Sequence, residues 1–110
     1  MNEFQKDVLK HLKRYHTGES SAIHAKELAD RFHVEVRTLQ YAIHRLRLEG
    51  HPVCSSNNGY FYAASQLEIN ATIGRLNRML TSVSNARTGL LYACLLMPDF
   101  KALECDRVVG

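Results

Sequence analysis

Residues 36–49 carry the densest set of side chains able to make paired hydrogen bonds. Arg37, Thr38, Gln40, Tyr41, His44, Arg45 and Arg47 are interleaved with Leu39, Ile43 and Leu46. The apolar residues recur at i, i+4 and i+7, so a helix would bury them on one face and turn the polar set away. A guanidinium offers a fixed fork of donors that matches the O6 and N7 acceptors of guanine. A glutamine amide can match the donor and acceptor of adenine. When such a helix enters a major groove its early positions reach base edges, which makes Arg37, Thr38, Gln40 and Tyr41 candidate base readers. His44 and Arg45 come later and suit phosphate or the groove wall, while Arg47 is placed for a pairing within the protein. Further on, Asn57 and Asn58 sit in a turn and can donate to phosphate or probe a minor groove. The tip of that turn holds no Lys or Arg, and Glu35 at the helix start would favour the helix dipole yet repel phosphate.

A helix presents such a face only if other elements hold its back. Residues 3–15 place Phe4, Val8, Leu12 and Tyr15 at helical spacing, with Lys6, Lys10 and Lys13 between them. Residues 16–21 read as a loop with Gly18 available as a C-terminal cap, and Ala22 with Ile23 as a very short strand. A second helix starts after His24, a weak N-cap, with Glu27 three residues on and Leu28, Ala29 and Phe32 as its buried face. Residues 33–35 form the turn into the polar helix, which Gly50 stops, and Pro52 then belongs to an extended segment. Residues 51–55 and 60–63 read as two strands joined by Ser56-Asn57-Asn58-Gly59. Val53 is expected to face the core. Tyr60 and Tyr62 share one face, also core-directed, and Phe61 points the other way.

Ser65-Gln66-Leu67-Glu68 reads as a capping box that opens a long helix. Its apolar positions are Ile69, Ile73, Leu76, Leu80, Val83, Leu90 and Cys94, a seven-residue repeat broken once, at Arg87. At roughly 30 residues it would be about 45 Å long. Ser82, Ser84, Asn85 and Gly89 are weak helix formers and mark a place for a kink, and Pro98 ends the helix. The run at residues 90–97 is apolar all round, and an apolar patch of that kind usually marks an interface. A homodimer through this helix is expected, with folding back onto the first helix as the alternative. The domain plan is therefore residues 1–64, then a dimerisation helix at 65–97, then a tail at 98–110 with one more helical turn around Phe100 and Leu103.

The fold class these elements imply is mainly α with a small β-hairpin wing (α+β), a winged helix-turn-helix followed by a long C-terminal helix. Residues 23–63 resemble the winged helix-turn-helix domain at the N-terminus of biotin repressors and related bacterial regulators. The matching segments are A-K-E-L-A-D at 25–30, V-R-T-L-Q at 36–40, I-H-R-L-R-L-E-G at 43–50, P-V at 52–53 and N-G-Y-F-Y at 58–62. The resemblance implies double-stranded DNA as partner and regulation of transcription as role. No ligase segment follows residue 63, so biotin chemistry is not expected. A short chain with one long helix after the wing is also similar to small regulators of phages and prophages. The runner-up is a winged helix that binds protein, since a solvated polar helix face needs no ligand and one fold hosts many roles.

Composition sets the outer bounds. The chain has 110 residues, 45% hydrophobic and 23% charged, with net charge +3, which fits one small globular domain with an extension and mildly favours an anionic partner. The N-terminus lacks the apolar run of a signal peptide, and the longest apolar run is too short to span a bilayer, so no membrane contact is expected. Cys54, Cys94 and Cys105 show no C-x-x-C spacing and read as reduced thiols of a cytoplasmic protein. Six histidines all fall in the first half without H-E-x-x-H or zinc spacing, and no Ser-His-Asp order or glycine-rich phosphate loop occurs. No metal, cofactor or catalysis is expected.

Overall fold

The computed structural model describes residues 1–96, and the expected tail turn around Phe100 and Leu103 lies outside them. Helix α1 (Glu3–Tyr15) opens on a reciprocal cap. The Gln5 amide N–H donates to Asn2 Oδ1 (2.8 Å) and the Asn2 N–H donates to Gln5 Oε1 (3.3 Å). That cap explains why Gln5 is buried. The stripe that α1 buries further along is Val8, Leu9 and Leu12. Tyr15, expected on that stripe, is exposed, because it lies in the last turn with the core behind it and its ring set against His11 instead.

Helices α2 (Ala25–Arg31) and α3 (Val36–Leu48) form the helix-turn-helix, and α1 packs across α3. His24 makes no side-chain cap, in line with the weak cap expected there. The end of α2 closes as a Schellman motif. The Val34 N–H donates to the Ala29 carbonyl (3.1 Å) and the His33 N–H to the Asp30 carbonyl (3.1 Å). This motif requires a left-handed residue, and here His33 takes it at φ 56. Gly50 does the same at the end of α3 with φ 88, where the His51 N–H donates to the Leu46 carbonyl (3.0 Å). A side chain in that conformation costs about 1–2 kcal/mol that glycine escapes. His33→Gly should therefore raise the stability by about 0.5–1 kcal/mol, and His33→Val should lower it by more than about 1 kcal/mol, since β-branching tolerates left-handed φ worst. Urea midpoints for the three proteins check this.

The wing pairs strands β1 (Val53–Ser56) and β2 (Gly59–Tyr62) antiparallel, with Val53 opposite Tyr62 and Cys54 opposite Phe61. Its second edge is also covered. Tyr60 exchanges both backbone bonds with Ile23 (2.9 and 2.8 Å), and Tyr62 bonds to the backbone of His16 and Gly18 (2.7 and 2.8 Å). The short strand expected at Ala22 and Ile23 is thus a single bridge at Ile23. Val53 joins the main core of Val8, Leu9, Leu12, Ile23, Leu28, Ala29, Leu39, Ile43 and Leu46, with Tyr60 and Tyr62 half-buried against it. Phe61 is buried as well, beside Cys54 on the opposite face of the hairpin. Thr72 covers that face: its hydroxyl accepts from the Ser55 N–H (3.2 Å) and is 3.4 Å from the Ser55 carbonyl.

Helix α4 (Gln66–Leu96) continues through Ser82, Ser84, Asn85 and Gly89. The capping box expected at its start is half-formed. The Glu68 N–H lies 3.4 Å from Ser65 Oγ, but the Glu68 carboxylate accepts from the N–H groups of Ala64 (2.7 Å) and Glu19 (2.9 Å). Those two bonds hold its pKa below the usual carboxylate value. The carboxylate turns to Glu19 because the short 3-10 turn Glu19–Ser21 offers an unpaired N–H there, a partner distant in sequence.

By contacts the chain divides into two compact units, Met1–Gly74 and Arg75–Gly110. Cys54 is a free, buried thiol, and burial raises its pKa. Cys94 is disulfide-bonded, which corrects the expectation of a reduced thiol at that position: the missing C-x-x-C spacing speaks against a zinc or redox motif and not against a disulfide. Among the described residues no helix is long and apolar enough to cross a membrane, and no group of three or more His, Cys, Asp or Glu could hold a metal ion.

Candidate nucleic-acid interface

The outward face of α3 is built by what its inner face buries. Leu39, Ala42, Ile43 and Leu46 are at most 2% exposed, and they fix the rotation of the helix about its axis. Arg37, Thr38, Gln40, Tyr41 and His44 are exposed as a direct consequence, and Arg45 is half-buried at the edge of the face. Arg37, Tyr41, His44 and Leu48 follow one another at i, i+4, i+7 and i+11, so they form a single row along the middle of this face. Leu48, 63% exposed, carries no hydrogen-bonding group, so a reading of polar side chains passes over it. Its spacing from Arg37 and Tyr41 is the signal that would have found it.

Arg47 leaves this surface. Its Nε donates to the Val53 carbonyl (2.8 Å) and a terminal nitrogen to Ser55 Oγ (3.0 Å), so the pairing within the protein expected for it is one that ties α3 to the wing. These bonds fasten the C-terminal part of α3 to the hairpin. The face offers two permanent cations, Arg37 and the half-buried Arg45, several neutral donors and two large, mostly apolar groups, Tyr41 and Leu48. Such a set can donate paired hydrogen bonds and make apolar contact.

Asn57 and Asn58 are exposed at the wing tip. Asn58 is turned partly inward: its N–H lies 3.1 Å from Ser56 Oγ and its side-chain amide 3.5 Å from a Glu19 carboxylate oxygen. A carboxylate beside the tip opposes phosphate, so the wing adds little positive potential to the α3 face.

A second polar site lies between α1 and the turn. His11 meets Phe32 edge-on (5.6 Å between ring centroids), and its Nε2 is 3.3 Å from Nε2 of His16. His16 Nδ1 lies 2.8 Å from the Ser21 carbonyl, which can only accept, so Nδ1 carries a proton. Burial first, then the nearby His16 and Arg31, lowers the His11 pKa. The folded chain therefore binds fewer protons than the unfolded one as pH falls below about 6.5, the ordinary histidine value. Stability from this group is complete above that pH and is lost on acidification through the lowered folded value. The urea midpoint should fall between about pH 7.5 and 5.5, and His11→Phe should flatten that part of the profile.

The dimerisation residues named from the sequence lie along α4. Ile69 is half-buried, Ile73 and Leu76 are partly exposed, and Leu80, Val83 and Leu90 are each about 70% exposed; Cys94 is half-buried. A family model described as an HTH domain matches residues 5–61. No curated protein matches the chain, and no solved structure matches it.

Proposed function

The chain belongs to the helix-turn-helix (HTH) domain family of DNA-binding domains, and on that premise we propose that it is a sequence-specific reader of double-stranded DNA that regulates transcription as a homodimer in the cytoplasm. In this reading α3 enters the major groove, with Arg37, Thr38, Gln40 and Tyr41 at base edges and His44 and Arg45 at phosphate or the groove wall. The observation that carries it is the outward row of α3, whose polar side chains are exposed while the opposite face is locked into the core. Homodimerisation is supported by the exposed heptad stripe on α4 and by the two-fold symmetry of many DNA half-sites. One long helix directly after the wing is similar to the small regulators of phages and prophages, and the segment match at residues 25–62 fits biotin-repressor-type domains.

One observation favours a second reading, a winged helix that docks on protein. Tyr41 and Leu48 expose 62% and 63% of their surface on the same face, and Glu19 sits beside an uncharged wing tip. Salt separates the two. Binding to a duplex, followed by fluorescence anisotropy, should weaken about a hundredfold or more between about 50 and 200 mM salt, because each phosphate contact releases counterions. A salt-independent constant, or no binding at low salt, would reject the DNA reading.

A further inference from the structure

The second compact unit, Arg75–Gly110, exposes an apolar stripe along α4. Leu76, Val83 and Leu90 occupy one heptad position, and Leu80, Arg87 and Cys94 the other. Leu80, Val83 and Leu90 are 69%, 68% and 71% exposed. A segment containing Ser82, Ser84, Asn85 and Gly89 is a poor helix former, so its helicity in water depends on covering that stripe.

The positions flanking the seam are Asn77, Met79, Ser84, Ala86, Leu91 and Ala93. None carries a charge, so nothing at the edges selects a foreign helix by complementary charge. A second copy of this chain offers the matching stripe. Orientation then follows from charge. Residues 75–96 contain Arg75, Arg78 and Arg87 and no acidic residue. In a parallel pair every arginine stands level with its own counterpart, and the two Arg87 side chains meet inside the seam. Reversing one helix removes that clash. With Leu80 set against the partner's Val83, Arg87 lies over the partner's Leu76, and the two Arg87 side chains are about 16 Å apart along the axis.

We infer that residues 75–88 of α4 pair with a second copy as an antiparallel coiled coil, with Leu80 against the partner's Val83 and Arg87 against the partner's Leu76. This rests on the homodimer reading above and adds its orientation and register. Sedimentation equilibrium on the full chain tests it, with helix content checked by circular dichroism. Leu76→Glu places a carboxylate opposite the partner's Arg87, and Leu76→Lys places a cation there, each twice per dimer. The antiparallel pair predicts that Leu76→Glu dimerises about tenfold more tightly than Leu76→Lys or better. The double variant Leu76→Lys/Arg87→Glu should regain what Leu76→Lys loses. Equal constants for the two Leu76 variants, or loss of the dimer in both, would overturn the antiparallel register while a dimeric wild type left the homodimer standing. A wild-type chain that stays monomeric at high concentration would remove both.

Discussion

Gly59→Ala should be the most damaging single substitution in the wing, lowering stability by about 3–5 kcal/mol. Two causes add. Gly59 has φ 117, a conformation that side-chain-bearing residues rarely adopt. A methyl group there would also collide with the carbonyl of Ile23 and lie 2.7 Å from the backbone nitrogen of His24. Those atoms cannot yield easily, since Ile23 is held by both backbone bonds to Tyr60. The loss is a large share of the 5–15 kcal/mol typical of a domain and corresponds to a fall in Tm of more than about 15 °C. Gly50→Ala is the control. Its φ of 88 is equally left-handed, but nothing lies within 4 Å of the added methyl, so about 1–2 kcal/mol of backbone strain is all it should show. Similar thermal shifts for the two variants would mean that the close approach at Ile23 carries no energy.

Arg37→Ala should have the largest effect on binding, with Gln40→Ala next. Each removes a side chain capable of two hydrogen bonds to one base, a loss of about 1–3 kcal/mol, or roughly 5- to 150-fold in Kd. Neither substitution touches the core, because both residues are exposed on α3. Stability should therefore stay within about 0.5 kcal/mol of the parent. The signature of base reading is selective: Arg37→Ala should relax preference at one base pair, whereas Arg45→Ala should weaken all duplexes alike and reduce the salt slope. Competition binding against single-base-pair variants of the preferred duplex distinguishes the two patterns.

Much of this was legible in the sequence because it depends on period and on local chemistry. The i, i+4, i+7 spacing of Leu39, Ile43 and Leu46 sets the rotation of α3, and with it the exposed polar row. Gly50, and the Asn58-Gly59 step at the wing, carry their turn chemistry in the residue type. The left-handed residue of the helix-turn-helix was not visible, since His33 stands where glycine would have announced it. Long-range partners were hidden for a different reason. Glu68 looked like half of a capping box, but its carboxylate bonds Glu19, which spacing cannot show. Strand alternation assigned the two faces of the wing correctly without revealing that Thr72 covers the second one, so the burial of Phe61 and Cys54 came only from the structure. The Asn58 amide, a plausible phosphate donor by type, turns toward Glu19 for the same reason.

Sequence-specific readout by α3 is the central claim, and a selection from random duplex DNA measures it most directly. The purified chain of residues 1–110 should enrich one motif, and Arg37→Ala, folded to the same extent, should lose preference at one position of that motif in each half-site. Recovery of no motif by the folded wild-type protein, or of an identical motif by Arg37→Ala, would contradict it.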